Sequence, residues 1–212
     1  MIASMTALLG FLLALGFFAL VAWIAVVQGR KARENLRGLT SRLGLVLAEA
    51  RPTLGIFWPA PRAQGVVDGR TVELYTFTTG SGKSQTHWCA LRVLLPAAAG
   101  LEFSLAPEGM GKRLLGLFGV KEVTVGDRVF DDAFFVRTNR PELLVAALVP
   151  DIRARLLAVQ QEGVRGTYRL EKGVLAYAEP GSFSSPKVCR RLERAAEVLR
   201  DLAVVAEVMA GP

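Results

Sequence analysis

The feature that most constrains this chain is its beginning. From Thr6 to Val27 no residue carries a charge, and the run from Ala7 reads ALLGFLLALGFFALVAWIAVV. At 1.5 Å per helical residue, about 20 residues cover the roughly 30 Å of bilayer hydrocarbon. A signal peptide needs a basic first region, a shorter apolar core and a small-x-small cleavage site. Met1 to Met5 contains no Lys or Arg, the apolar run is longer, and no clear cleavage motif follows it. The segment is read as an uncleaved transmembrane anchor, residues 1–29. Trp23 near its end suits the interface, where aromatic side chains collect.

Charge asymmetry gives the orientation. The N-terminal flank has no basic side chain, whereas the other flank carries Arg30, Lys31, Arg33, Arg37 and Arg42. Basic residues are retained on the cytoplasmic side, so the expected topology is that of a single-pass membrane protein with its N-terminus out and its soluble part in the cytoplasm. Cys89 and Cys189 then read as reduced thiols. All 26 basic and 19 acidic residues lie outside the span, so the net +7 belongs to the soluble part. The five basic residues after the span point to anionic lipid, each contributing about 1 kcal/mol at the membrane surface. Beyond Arg51 the charges are mixed and there is no long basic tract, which argues against nucleic acid.

The remaining length suffices for a substantial core. Hydrophobic residues make up 51% of the chain and exclude wholesale disorder. Two cysteines exclude a disulfide scaffold or a four-cysteine zinc site, and one histidine excludes a site that needs two imidazoles. Residues 30–50 read as a helix leaving the membrane, with Leu36, Leu39, Leu43, Val46, Leu47 and Ala50 at helical spacing, stopped by Pro52. Residues 51–64 form an irregular, proline-containing connection in which Ile56, Phe57 and Trp58 are apolar enough to pack on the domain.

Residues 65–212 read as an α+β domain: a mainly antiparallel sheet of about seven strands, short helices and a long C-terminal helix. Asp68-Gly69 predicts a tight hairpin turn between residues 66–67 and 70–78. Gly80 and Gly82 mark a second turn before a long strand at 85–95. Further strands are expected at 101–105, 120–125 and 133–138, with a glycine-rich loop at 106–119 holding one helical turn at 114–118. Short helices at 141–148 and 151–160 flank Pro150, and a hairpin joins 166–170 to 174–178 across Glu171-Lys172-Gly173. Ser185 and Pro186 open the last helix, which runs to about Met209.

Candidate chemistry is sparse. Thr79-Gly80-Ser81-Gly82-Lys83-Ser84 resembles a phosphate loop, but Phe77 stands where the first glycine is required and a strand pattern follows, so it reads as a hairpin turn. His87 and Cys89 share a strand face without a third ligand or an orienting group, and read as packing. Asp127, Asp131 and Asp132 form an acidic loop; converging carboxylates hold Mg or Ca, but the EF-hand order is absent and Asp127 after Gly126 suits a turn. No metal and no cofactor is expected. In the last helix Val188, Leu192, Ala195, Leu199, Leu202, Ala206 and Met209 alternate spacings of four and three. That stripe either docks on its own sheet or presents Val188, Leu192, Leu199 and Leu202 to a protein partner or a second copy.

From Val123 the text VTVGDRVFDDAFFVRTNRPELLVAALVPDIRARLLAV, then GTYRLEKGVLAYAEP, resembles bacterial membrane-anchored proteins of unknown function with a Gly-Asp-x-x-Phe-Asp-x-x-Phe-x-Val core. It is also similar to a related domain of unknown function with the pattern Phe-x2-x-Phe-x-Val, a short polar turn, then Leu-Thr-Pro and an amphipathic helix; the matching positions are Phe130, Phe134, Val136, Leu148, Pro150, Ile152 and Leu156, with Val149 in place of the Thr, and the likeness covers roughly residues 65–180. These positions look like fold determinants. The resemblance implies an anchored α+β domain and carries no activity over. The expected function is a membrane-anchored interaction or scaffold module. The alternatives are lipid sensing through Arg30 to Arg42, or a ligand sensor or enzyme using the Asp127, Asp131, Asp132 loop or the Gly109 to Lys112 loop near His87.

Overall fold

The computed structural model describes residues 2–48, 60–108, 121–161, 163 and 166–211. The Ile56-Phe57-Trp58 segment, the turn expected at 114–118 and the Gly109 to Lys112 loop lie outside the described residues.

One helix, α1 (Ile2–Leu43), contains both the apolar run and the juxtamembrane segment without a break. Uniformly apolar residues make the first half hydrophobic all round. The second half has charges on one side and Leu36 and Leu39 on the other, an amphipathic pattern that buries one stripe. Its side chains are exposed throughout from Leu12 to Ala25, half-buried at Val26 and Val27, and fully buried at Leu36 and Leu39. Gly44 ends the helix, and the Leu45 N–H donates back to the Thr40 carbonyl at 2.9 Å. The helix therefore stops short of residue 50, and Val46–Leu47 forms strand β1 instead.

The strands are β2 (Ala63–Val67), β3 (Arg70–Thr79), β4 (Thr86–Leu94), β5 (Phe103–Pro107), β6 (Lys121–Val123), β7 (Phe134–Thr138), β8 (Thr167–Glu171) and β9 (Val174–Pro180). The sheet has nine strands in the order β1-β2-β3-β4-β9-β8-β5-β7-β6, every pair antiparallel. Asp68 (φ 50°) and Gly69 (φ 76°) form the expected tight turn between β2 and β3. The helices are α2 (Arg128–Asp131), α3 (Pro141–Ala147), α4 (Pro150–Gln161) and α5 (Pro186–Ala210).

Alternation along the strands separates the two faces of the sheet. Leu74, Leu91, Val93, Leu105, Val136, Tyr168, Leu170, Leu175 and Tyr177 are buried on one face. Against it lies α5, with Val188, Leu192, Ala195, Val198, Leu199, Leu202 and Ala206 inward. The lower half of α1, together with α3 and α4, joins the same core through Leu36, Leu39, Leu144, Ile152 and Leu156. The far end of α5 is tied to the β2–β3 hairpin. Arg70 donates two hydrogen bonds to Glu207 at 2.8 and 2.6 Å, and Arg200 pairs with Asp68 at 2.8 Å. Glu73, Tyr75, Arg92, Phe135, Arg137, Thr167, Arg169, Ala176 and Ala178 alternate with the buried set and remain half-exposed on the opposite face.

Candidate functional site

The five basic residues after the apolar run differ in their surroundings. All lie on α1, where Arg30, Lys31 and Arg37 are exposed and Arg33 is half-buried. Arg42 donates to Glu193 of α5 at 2.6 Å. It sits fifteen residues beyond Val27, about 22 Å further along the helix. Arg42 thus joins two helices of the domain.

The acidic loop is structural among the described contacts. Asp127 caps α2 by accepting from the Phe130 N–H at 3.3 Å and pairs with Arg153 at 3.4 Å. The Asp131 carboxylate accepts from the Val125 and Gly126 N–H groups at 2.8 and 3.0 Å. Asp132 lies 3.7 Å from Arg128 one turn back. The three carboxylates point to three different partners. Among the described residues no group of three His, Cys, Asp or Glu is placed to hold a metal ion.

The stripe on α5 takes the docked alternative. Val188, Leu192, Leu199 and Leu202 are buried in the domain's own core, so they do not form an exposed face for a partner. The physical reason is the widening of the stripe by Cys189, Val198 and Ala203, all buried, which gives α5 a face broad enough to cover a sheet.

Sequence reasoning missed a buried polar cluster beneath α5. Glu179 of β9 is fully buried, and one of its oxygens accepts from Arg191 Nε at 2.8 Å and from the Tyr177 hydroxyl at 3.3 Å. Its other oxygen and the buried Tyr168 hydroxyl have no hydrogen-bond partner among the described residues. Burial pushes the Glu179 carboxyl above its ordinary value, opposed by the Arg191 guanidinium. Cys89 and Cys189 lie nearby; burial first, and the Glu179 charge as well, raise the Cys89 thiol to about 12 and Cys189 to about 11. The only sequence signal for this cluster is parity, because Glu179 stands at the same alternation as Leu175 and Tyr177.

His87 is exposed at the end of β4, with Nδ1 3.2 Å from the Thr78 hydroxyl. The glycine-rich segment before it is the β3–β4 hairpin turn, with a single helical turn at Gly82–Ser84. Gly80 has φ +79°, and a Cβ there would press on the Ser84 carbonyl. Beside His87 a groove of about 510 Å³ is lined by Ala32, Thr76, Gly181, Ser182 and Phe183. Asp127, Asp131 and Asp132 are not among its lining residues, so this groove does not unite the acidic loop with His87.

On the outer face of the sheet, the Arg92 guanidinium lies 5.1 Å from the Tyr75 ring centroid. The Tyr75 and Phe77 rings are 5.9 Å apart, and Phe77 stacks on Trp88 at 5.9 Å with their planes 5° apart. An aromatic ladder with a cation at one end, half-exposed to solvent, is the composition that interface cores favour.

No family profile and no curated protein matches the chain by sequence. By structure it is similar to the crystal structure of the mycobacterial trehalose monomycolate transport factor A, with a TM-score of 0.53 and 9% identity over 82% of this chain and 93% of that one. At that identity the likeness is one of fold.

Proposed function

We propose that this chain is a single-pass inner-membrane protein whose cytoplasmic domain binds a protein partner at the bilayer, as an accessory module of bacterial envelope-lipid handling. The observation that carries the reading is the continuity of α1. Its first half is apolar, of membrane-crossing length and exposed from Leu12 to Ala25, and its second half is built into the domain core. Cleavage between the two would leave Leu36 and Leu39 on a helix that begins in mid-course. The cytoplasmic orientation is supported by Arg30, Lys31, Arg33 and Arg37 following the span. Two free thiols suit a reducing compartment.

Support for lipid handling comes from the fold shared with a trehalose monomycolate transport factor. The likeness to anchored bacterial proteins with the Gly-Asp-x-x-Phe-Asp-x-x-Phe-x-Val core agrees with a binding role, because those positions serve folding here. Asp127 caps α2, Asp131 holds the preceding turn, and Phe130 stacks on Phe134 at 5.0 Å. With the α5 stripe buried, the outer face of the sheet around Glu73, Tyr75 and Arg92 is the surface we assign to the partner.

The test is quantitative mass spectrometry of what co-purifies with the full-length protein from cross-linked native membranes, beside an anchor of residues 1–29 alone. A near-stoichiometric partner, lost in a Tyr75→Ser, Arg92→Glu variant, is expected. Preparations that contain only this chain would count against the module.

A further inference from the structure

Two sets of contacts fix how the sheet lies along α1. At Leu43 the helix shares a small cavity with Val67, Val72, Leu91 and Val93. At Ala32 it shares the groove with Thr76, His87, Gly181 and Phe183. Asn35 also donates to the Phe183 carbonyl at 2.9 Å. From Leu43 back to Ala32 the helix travels about 16 Å. From the middle of Leu91–Val93 back to His87 strand β4 travels a similar distance, about 16 Å at 3.3 Å per residue. The helix and the β3–β4 hairpin therefore run side by side, with the hairpin turn directed toward the apolar half of α1.

The hairpin continues past that contact. From Thr78, the partner of His87, to Gly80 it adds about 7 Å, equal to some four helical residues. Four residues before Ala32 is Gln28, so the turn at Gly80–Ser84 reaches the level at which the uncharged run gives way to Arg30 and Lys31. The first shielding of α1, at Val26 and Val27, begins at the same level.

Charge is segregated to this end. Residues 28–37 of α1, 76–88 of the hairpin and 180–191 at the start of α5 hold eight Lys and Arg and one acid, Glu34. Arg191 among them pairs with Glu179, and with that acid included this end carries +6 of the chain's net +7. Arg30, Lys31, Arg37, Lys83, Lys187 and Arg190 are exposed. The hairpin also presents Phe77 stacked on Trp88, whose indole N–H donates to Thr79 at 2.8 Å, the amphipathic type of ring that bilayer interfaces collect.

We infer that the β3–β4 hairpin, with Lys83 at its turn, is a second membrane contact that seats the domain on the anionic headgroup surface beside the end of α1. The inference rests on α1 spanning the bilayer. A helix alone leaves the domain free to spin about one axis. A second basic foot some distance away sets its rotation, and so sets which way the outer sheet face looks along the membrane. Each exposed lysine or arginine is attracted to an anionic surface, and the attraction is screened beyond a Debye length.

The test places an environment-sensitive fluorophore on Ser81→Cys, Gln28→Cys or Val66→Cys in the full chain, reconstituted in vesicles of phosphatidylcholine and phosphatidylglycerol with a shallow nitroxide lipid. Cys89 and Cys189 are buried and do not compete for the label. Val66 is exposed at the opposite end of the domain. Ser81 is expected to be quenched as Gln28 is, and Val66 to stay bright. Lys83→Glu, or replacing phosphatidylglycerol by phosphatidylcholine, should reduce quenching at Ser81 and leave Gln28 unchanged. A quenched Gln28 with a bright Ser81 overturns the hairpin contact while α1 still spans. An unquenched Gln28 in protein that does not float with the vesicles overturns the spanning reading and this inference with it. Protection of Ser81 from aqueous iodide without nitroxide quenching overturns the inference in favour of cover by another copy of the chain.

Discussion

The two halves of α1 are one helix in two environments. The half before Val26 is the more apolar, yet all of its described side chains are exposed, Phe18 at 69%. The half after Gln28 is interrupted by Arg30, Lys31, Arg33, Glu34 and Arg37, yet it supplies Leu36 and Leu39 to the core at 0% exposure. What separates them is pattern. A helix that is hydrophobic all round has no preferred side to give a sheet, whereas one with a stripe does. The comparison teaches that hydrophobicity locates the surface to be removed from water, and periodicity decides whether lipid or protein removes it.

The sharpest way to break that contrast is to truncate each half in turn. Leu36→Ala and Leu39→Ala each delete a fully packed side chain and should each cost about 2–5 kcal/mol of domain stability. Leu15→Ala and Phe18→Ala delete side chains that touch no domain core and should leave the same transition in place. Denaturant titration of the detergent-solubilised chain, followed by near-UV circular dichroism, reads both. A comparable loss from the upper pair would mean that the apolar half also packs on the domain.

A second contrast lies within the core, between its leucines and Glu179. Burial raises this carboxyl above its ordinary value, so the folded state holds its proton at a pH where the unfolded state has lost it. Its favourable contribution is therefore complete below the ordinary glutamate value and is lost as pH rises through the raised folded value. Glu179→Gln removes that titration. Melting temperatures across this window should show the native chain losing stability relative to the variant as pH rises, with the gap constant above it. Parallel curves would mean that Arg191 holds the carboxylate charged throughout.

Smaller again is the effect expected at the two thiols, where the readout is a rate. Both are buried and raised, so alkylation should wait for unfolding. Iodoacetamide labelling followed by mass spectrometry should be slow in the native chain and should accelerate in Leu39→Ala. Prompt labelling of native Cys189 would show that α5 lifts off the sheet near its start, on the side toward the membrane.

The sequence disclosed the parts of this molecule that repeat over short distances. The β2–β3 turn follows from Asp68-Gly69, the β8–β9 hairpin from Lys172-Gly173, and α5 from Pro186 and a stripe sustained over three heptads. Boundaries set by tertiary contact were less legible. The helix expected to reach Ala50 ends at Leu43, because Val46 and Leu47, apolar at helical spacing, pair with Gln64 and Ala63 instead. That added strand contributes to nine where about seven were expected. The acidic loop was legible as a turn, but its short helix depends on Asp127 reaching Phe130. Glu179 and Arg191 are twelve residues apart on a strand and a helix, and no spacing rule couples them. The alignment of the β3–β4 hairpin with α1 is likewise a property of packing, invisible until Ala32 and His87 are seen across one groove.

The smallest effect concerns the joint between the two halves' surroundings. Arg42 and Glu193 link α1 to α5 at 2.6 Å, but the arginine is about half exposed and the pair is screened by water and salt. Arg42→Ala should therefore cost only about 0–1 kcal/mol, far less than either buried leucine beside it. Its value as a test lies in what it leaves alone. If Arg42 belongs to the domain and not to the membrane surface, Arg42→Ala should not change flotation of the full chain with anionic vesicles, nor quenching at a labelled Ser81. Lys31→Ala and Lys83→Ala should weaken the quenching at Ser81 with little change in stability. A loss of quenching from Arg42→Ala equal to that from Lys83→Ala would place the headgroup surface deeper along α1. It would also erase the boundary on which the contrast between the two halves depends.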